Sequence, residues 1–168
     1  TKKVAVYDLS GNLDSQIIFS NTVRNLCIYN NRLYVVSGSD VVNLNISNTS
    51  DNYTINLQDS SGSSVTAYHC AVNSSNVFIL TDGTNKKVYK YNLSNFQSTT
   101  TDNATTSWGS AGTGSGQFMG YGSIIADENY VYISSRDGSG ITKFDTSGNV
   151  IKHNGSPKIR QIYFNPSN

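Results

Sequence analysis

Few residues of this 168-residue chain are of the types that do chemistry. It has two histidines, His69 and His153, and two cysteines, Cys27 and Cys70. A protein zinc site needs three or four convergent His, Cys or carboxylate ligands. Neither histidine has an H-x-E or H-x-x-x-H neighbour, so each is expected to be packed or solvated. The cysteines also lack metal-site spacing. The 11 carboxylates contain no EF-hand pattern, and no G-x-S-x-G elbow presents a nucleophile. The run Gly109, Gly112, Gly114, Gly116 has the outward form of a phosphate loop. No Lys-Ser/Thr and no helix follows it, so the amide nest and helix dipole that hold phosphate are missing. A crossing between structural units is the expected role. The chain is therefore read as not an enzyme, with no catalytic residue, metal ligand or cofactor assigned.

Binding groups are more plentiful. Tyr29, Tyr68, Trp108 and Tyr121 are candidate aromatic platforms for a ligand such as a glycan, and packing between sheets explains them equally well. Asp145 and its counterparts Asp8, Asn45 and Asn92 stand at recurrent positions, where bonding the amides of a following turn is the expected role. Seven N-x-S/T sequons occur, at Asn45, Asn48, Asn52, Asn73, Asn92, Asn103 and Asn154. All are candidate N-glycosylation sites if the chain is secreted. Asn73 and Asn154 fall in predicted turns and are expected to be accessible, Asn92 less so.

Composition narrows the partners. Charged residues make up 14% and the formal net charge is +1. No basic run exceeds Lys2-Lys3 or Lys86-Lys87, too little for the phosphate-neutralising stripe of a nucleic-acid binder. No apolar run approaches a membrane span. Polarity comes from Asn, Ser, Thr and Gly rather than Lys and Glu, which suggests an extracellular or cell-surface location. The chain opens at Thr1 without a methionine or a signal peptide, which suggests a processed product or an excised fragment.

The elements that must position these residues repeat. Residues 4–10 read VAVYDLS, 41–47 VVNLNIS, 88–94 VYKYNLS and 141–147 ITKFDTS, starting 37, 47 and 53 residues apart. In each, alternate residues fall on opposite faces of a strand. Before three of them stands a second element: LCIYNNRLYVV (26–36), CAVNSSNVFIL (70–80) and IIADENYVYI (124–133). Each is a short apolar strand, a polar turn and an alternating aliphatic–aromatic strand. Asn30-Asn31, Ser74-Ser75-Asn76 and Glu128-Asn129 suit hairpin turns, Asn because it tolerates positive φ. No window shows a sustained helical period. Four strands in a period near 45 residues indicate all-β propeller blades, since one small antiparallel sheet cannot bury both its faces alone. The links 48–66 and 95–123 should carry outer strands, Tyr53 to Leu57 in the first, and then the crossings.

The chain opens on the closing motif of a unit and finishes on RQIYFN, which matches RNLCIYN at 24–30. A single domain over 1–168 is expected, a four-bladed ring with three full repeats and one blade shared by 1–15 and 157–168. Alternatively, the same ends could pair with a neighbouring copy.

Over residues 108–150 the chain resembles the NHL-repeat family of β-propellers. The residues that carry the likeness are Gly114, Gly116, Gln117 and Phe118, then Ile124 to Asp127, Val131-Tyr132-Ile133-Ser134, and Ile141, Lys143, Phe144-Asp145 and Gly148. Tyr121, Ser123 and Ser135 replace the family's Pro, Gly and Asp, and Gly138 and Gly140 replace its Asn and Arg. The resemblance implies a propeller fold. It leaves function open, because the family holds enzymes with histidines and a metal near the central channel, RNA binders and protein binders.

Cys27 and Cys70 sit on matching strands of adjacent units, offset by one residue. The offset turns them to opposite sheet faces, which are the faces that meet between neighbouring blades. Either a cross-blade disulfide or two buried thiols fits. The expected role is an extracellular non-catalytic module for structure, adhesion or partner binding, as a glycosylated subunit of a surface assembly or filament. Its partners would be proteins or further copies joined through the terminal strands. A glycan-binding propeller is the alternative, and an NHL-type lyase a third reading.

Overall fold

The computed structural model describes residues 2–48, 50–81, 86–97, 100–120, 122–138, 140–155 and 158–164. Strands β1 (Lys3–Tyr7) and β2 (Leu13–Ile18) form an antiparallel hairpin. Next come β3 (Val23–Tyr29), β4 (Arg32–Ser37), β5 (Asp40–Asn45) and β6 (Asn52–Gln58), an antiparallel meander that makes blade one. Blade two opens with β7 (Ala67–Val72), β8 (Asn76–Thr81) and β9 (Val88–Asn92). The chain then makes a 3-10 turn, Leu93–Gln97, and leaves the blade. Strand β10 (Thr101–Asn103) pairs parallel with β6, as a fifth strand of blade one. Strand β11 (Thr106–Trp108) returns to pair with β9 and completes blade two. A small parallel bridge of β12 (Ser110–Ala111) and β13 (Gln117–Phe118) leads to blade three: β14 (Ile124–Ala126), β15 (Tyr130–Ser134), β16 (Ile141–Asp145) and β17 (Val150–Asn154).

The class is all-β, with blades of propeller type. Innermost strands β3, β7 and β14 run side by side, and the sheets stack face to face. Strand alternation explains the stacking. In β4, Tyr34 and Val36 face blade two, while Leu33 and Val35 face the hairpin. In β8, Val77 and Ile79 meet blade one, while Phe78 and Leu80 meet blade three. Both faces of these strands are covered, so consecutive residues are buried along them. Each such side chain contributes about 1.5–3 kcal/mol.

Turn chemistry follows the sequence expectation at Asn30 and Asn31, whose φ values are 52° and 60°. Two positive values in succession fit a two-residue hairpin turn. Between blades one and two, Cys27 and Cys70 are joined by a disulfide with Cα atoms 6.0 Å apart. The one-residue offset does turn them toward each other. The bond is reachable because both stand on innermost strands, where the blades converge.

The β10 excursion was not foreseen. Its 3-10 turn buries Phe96 against Tyr34 of blade one and Tyr91 of blade two. The Asn43 side-chain amide donates to the Phe96 carbonyl at 2.8 Å, and the Tyr91 hydroxyl donates to the Gln58 carbonyl at 3.0 Å. Asn43 also accepts from Arg32 Nε at 2.6 Å, and Arg32 pairs with Asp51 at 2.9 Å.

The described residues hold three complete blades and the β1–β2 hairpin. Strand β1 pairs with β2 alone. Residues 158–164 carry no strand. They lie against blade three, with the Ile159 amide donating to the Ser135 carbonyl and Phe164 packed edge-on against Tyr132. No ladder among these residues joins the two ends into one blade.

Replacing both cysteines with serine, or reducing the bond, should lower the unfolding free energy by about 2–4 kcal/mol. Urea titration with and without reductant measures it. Asn43→Ala should cost about 1–3 kcal/mol, because the buried Phe96 carbonyl loses its donor.

Candidate functional site

Three regions bear on function: the axial cleft, the turns at the blade ends, and the open outer faces. The axial cleft is about 140 Å³. Strand β3 contributes Cys27 and Ile28, β7 the stretch from Cys70 to Val72, β14 the stretch from Ile124 to Ala126, and the C-terminal segment Phe164. Its wall is aliphatic apart from the disulfide and one ring. His69 is on β7 but turns to Tyr68, with ring centroids 4.9 Å apart, and burial holds its pKa below the usual histidine value. His153 is on β17, where Nδ1 lies 2.8 Å from the Thr142 hydroxyl. The two histidines belong to different blades. Among the described residues no group of three His, Cys, Asp or Glu converges as a metal site.

The turns at the strand ends share one design. Asp8 Oδ1 accepts from the amides of Ser10 and Asn12 at 2.9 and 2.8 Å, and Oδ2 from the Asn12 side chain at 2.9 Å. Asp145 repeats this with Ser147 and Asn149, at 2.9, 2.9 and 2.8 Å. Asp59, which the repeat comparison missed, accepts from the Ser61 and Ser63 amides at 2.8 and 3.0 Å. The signal was present as the shared D-x-S-G pattern in DLSGN, DSSGS and DTSGN. Asn45 makes the shorter version, to the Ser47 amide at 3.0 Å. These hydrogen bonds favour the ionised form, and the pKa values of Asp8, Asp59 and Asp145 lie below the ordinary carboxylate value. Gly148 closes the last turn at φ +93° directly beneath the Trp108 ring. That gives the family-like glycine a physical reason, since a side chain there would be strained and would strike the indole.

The remaining candidates are dispersed. Trp108 lies between Phe78 and Phe144, each with a ring centroid 6.2 Å away, and no hydrogen-bond partner among the described residues reaches its buried Nε1. Tyr29 packs against the core between blades one and two. Tyr68 stacks under Arg24 at 5.5 Å, at the opposite end of the paired inner strands. Tyr121 lies outside the described residues. The structure therefore does not gather these rings into one platform. The glycine run is self-satisfied: the Gly112 amide donates to the Phe118 carbonyl and the Gly114 amide to Gln117 Oε1.

Among the sequons, Asn48, Asn52, Asn92, Asn103 and Asn154 are exposed and Asn45 is half-buried. Asn73 corrects the expected accessibility, because it is only 3% exposed. Its amide donates across the blade interface to the Asp127 carbonyl at 3.0 Å, while Oδ1 accepts from Ser75 and Asn76. Asn92, expected to be less accessible, is open.

Two carboxyls are partly desolvated. Asp40 lines a cleft of about 250 Å³ between the hairpin and blade one, with Ser37, Asn52 and Thr54. Asp102, on β10, accepts from the Asn95 side-chain amide at 2.9 Å, and no partner among the described residues reaches its Oδ2. Desolvation raises both pKa values.

No protein-family model matches the chain, and no curated protein matches it by sequence. Among solved structures it is similar to the N-terminal domain of Nup159, at 11% identity and a TM-score of 0.47. The match covers 97% of this chain and 39% of that one. At that score the fold assignment rests on sheet order and blade packing alone.

The two carboxylate sets should act in opposite directions. As pH falls from neutral, protonation of Asp102 and Asp40 should raise stability until the ordinary carboxylate value is passed. Below about pH 4 the turn aspartates should titrate and stability should fall. Asp102→Asn should flatten its share of the first phase and leave the second, as read by urea unfolding across pH. Gly148→Ala should cost about 1–3 kcal/mol at any pH.

Proposed function

We propose that the chain is an extracellular, non-catalytic propeller module of the NHL kind. In this reading it assembles with further copies of itself through its two unclosed ends and serves structure or adhesion. The observation that carries the reading is the placement of exposed apolar residues. On the face of blade one that carries Leu33 and Val35, the hairpin covers part and leaves Leu26 and Ile28 45% and 63% exposed. In the C-terminal segment, Tyr163 is 81% exposed beside blade three.

The two ends are complementary. The hairpin supplies sequences equivalent to the third and fourth strands of a blade. Residues 159–164 carry the pattern of an innermost strand, matching β3. Within one molecule no ladder among the described residues joins them, and a second copy is the partner proposed to pair with them. Such a head-to-tail contact either closes a ring or grows a filament.

Three further observations support the non-catalytic and extracellular parts. The strand-end aspartates are occupied in turns, both histidines are spread over separate blades, and the cysteines are oxidised. Five of the seven sequons are exposed and ready to carry glycan if the chain passes through a glycosylating compartment.

Sedimentation over a range of concentrations is the test. The wild type should associate, and Leu26→Asn with Ile28→Asn should shift it to monomer with its unfolding midpoint retained. A wild type that stays monomeric at high concentration overturns the assembly reading.

A further inference from the structure

The sequence shows no basic stripe, yet the fold builds one end that is rich in cations. Ladder register sets which residues share an end. Val23 pairs with Ser37, so Arg24 lies beside the β4–β5 turn. The corresponding β15–β16 turn of blade three holds Arg136, and Lys86 and Lys87 lead into β9 at the same level in blade two. The Ile159 amide bonds the Ser135 carbonyl, which brings Lys158 and Arg160 alongside Arg136. Lys3 pairs with Ile18, whose neighbours line a cleft with Ser37 and Asp40, so Lys2 and Lys3 join this end too. Eight of the 12 lysines and arginines are gathered there, from all four parts of the chain. The opposite end carries Asp8, Asp51, Asp127, Glu128 and Asp145 in its turns.

Within the basic end, Arg136, Lys158 and Arg160 line one cleft of about 310 Å³ with Asp137. Their side chains are exposed, and among the described residues no ion pair neutralises them. Arg24 lies over the Tyr68 ring, adding a cation and an aromatic face at the same end.

We propose that this end binds an acidic polysaccharide, a sulfated or uronic acid-bearing glycan, with the Arg136–Lys158–Arg160 cleft as its anchoring subsite. Three cations in one cleft raise the local potential for an anion even at a net charge near zero. Arginine forks also suit planar or branched oxyanions. Asp40, Asp59 and Asp137 share the end, so its field is interrupted. DNA, with about one charge per 1.7 Å of helix axis, would meet those carboxylates as it crossed. A glycan with spaced charges and intervening hydroxyls fits between them. The surrounding Ser39, Ser60, Ser61 and Ser63 offer hydrogen-bonding partners. The choice of a glycan rests on the extracellular reading above.

Calorimetric titration of the full chain with a sulfated heparin octasaccharide tests the proposal. A 20-residue poly-glutamate peptide and a 16-nucleotide DNA serve as competing polyanions. The octasaccharide should bind with an affinity that falls steeply as salt rises. The combined change Arg136→Gln, Lys158→Gln and Arg160→Gln should weaken it roughly tenfold or more. Lys152→Gln, an exposed cation on the outer strand of blade three, should leave it within about twofold. The thermal midpoints of both variants should match the wild type. No heparin binding at low salt, or equal binding by wild type and the triple variant, overturns the site. Equal or tighter binding of the peptide or the DNA overturns the glycan assignment. A chain that self-associates but ignores heparin overturns this proposal alone. One that binds heparin as a monomer overturns only the assembly.

Discussion

The face-to-face burial of small twisted sheets is the interaction everything else in this molecule depends on. A four-stranded sheet of five- and six-residue strands has too little area to be stable alone, and both of its faces need covering. Strand β8 shows the solution: Val77 and Ile79 enter one interface, Phe78 and Leu80 the next, and no residue of the strand is exposed. The same requirement makes the end blades unusual. Among the described residues, blade one has a hairpin over part of its outer face, and on the outer face of blade three Phe164 packs against Tyr132 while that face's own Lys143 ammonium lies 3.4 Å from the Tyr130 ring centre. Apolar exposure concentrates where the stack stops.

Polar groups serve the same packing. Asp8, Asp59 and Asp145 close their turns with carboxylates, and Asn45 and Asn73 close theirs with uncharged side-chain oxygens, so each acceptor is used locally at a blade end. Lys90 reaches across to the Thr146 carbonyl at 3.0 Å, and Ser74 meets Glu128 between blades two and three. The cations that remain are displaced to strand ends, and repetition of the blade puts those ends together.

Much of the fold was legible because the repeat carries two periods at once. Two-residue alternation set the faces, and recurrence of VVNLNIS-like and LCIYNNRLYVV-like segments set the units. The one-residue offset, a local property of strands, turned the two cysteines to facing sheets, and left open whether they were bonded. What stayed hidden depends on contacts between segments far apart in sequence. Nothing in Thr101 to Asn103 announces pairing with β6, since three polar residues without alternation gain their strand character only from the neighbouring edge. Asn73 resembles any exposed turn asparagine until blade three is placed against it. The composite terminal blade was inferred from pattern matching alone, and the described residues join neither end to the other. The basic end escaped notice because its members are spread from Lys2 to Arg160, and only strand direction aligns them.

The β10 excursion changes what kind of repeat this is. In a simple array each unit is contiguous in the chain and could be duplicated, deleted or exchanged as a cassette. Here the segment from Leu93 to Trp108 starts in blade two, lends a strand to blade one and comes back. Cutting at the boundary between these two blades would strip one of its fifth strand and strand the other's last. The two blades should therefore unfold together, while blade three is contiguous in the chain.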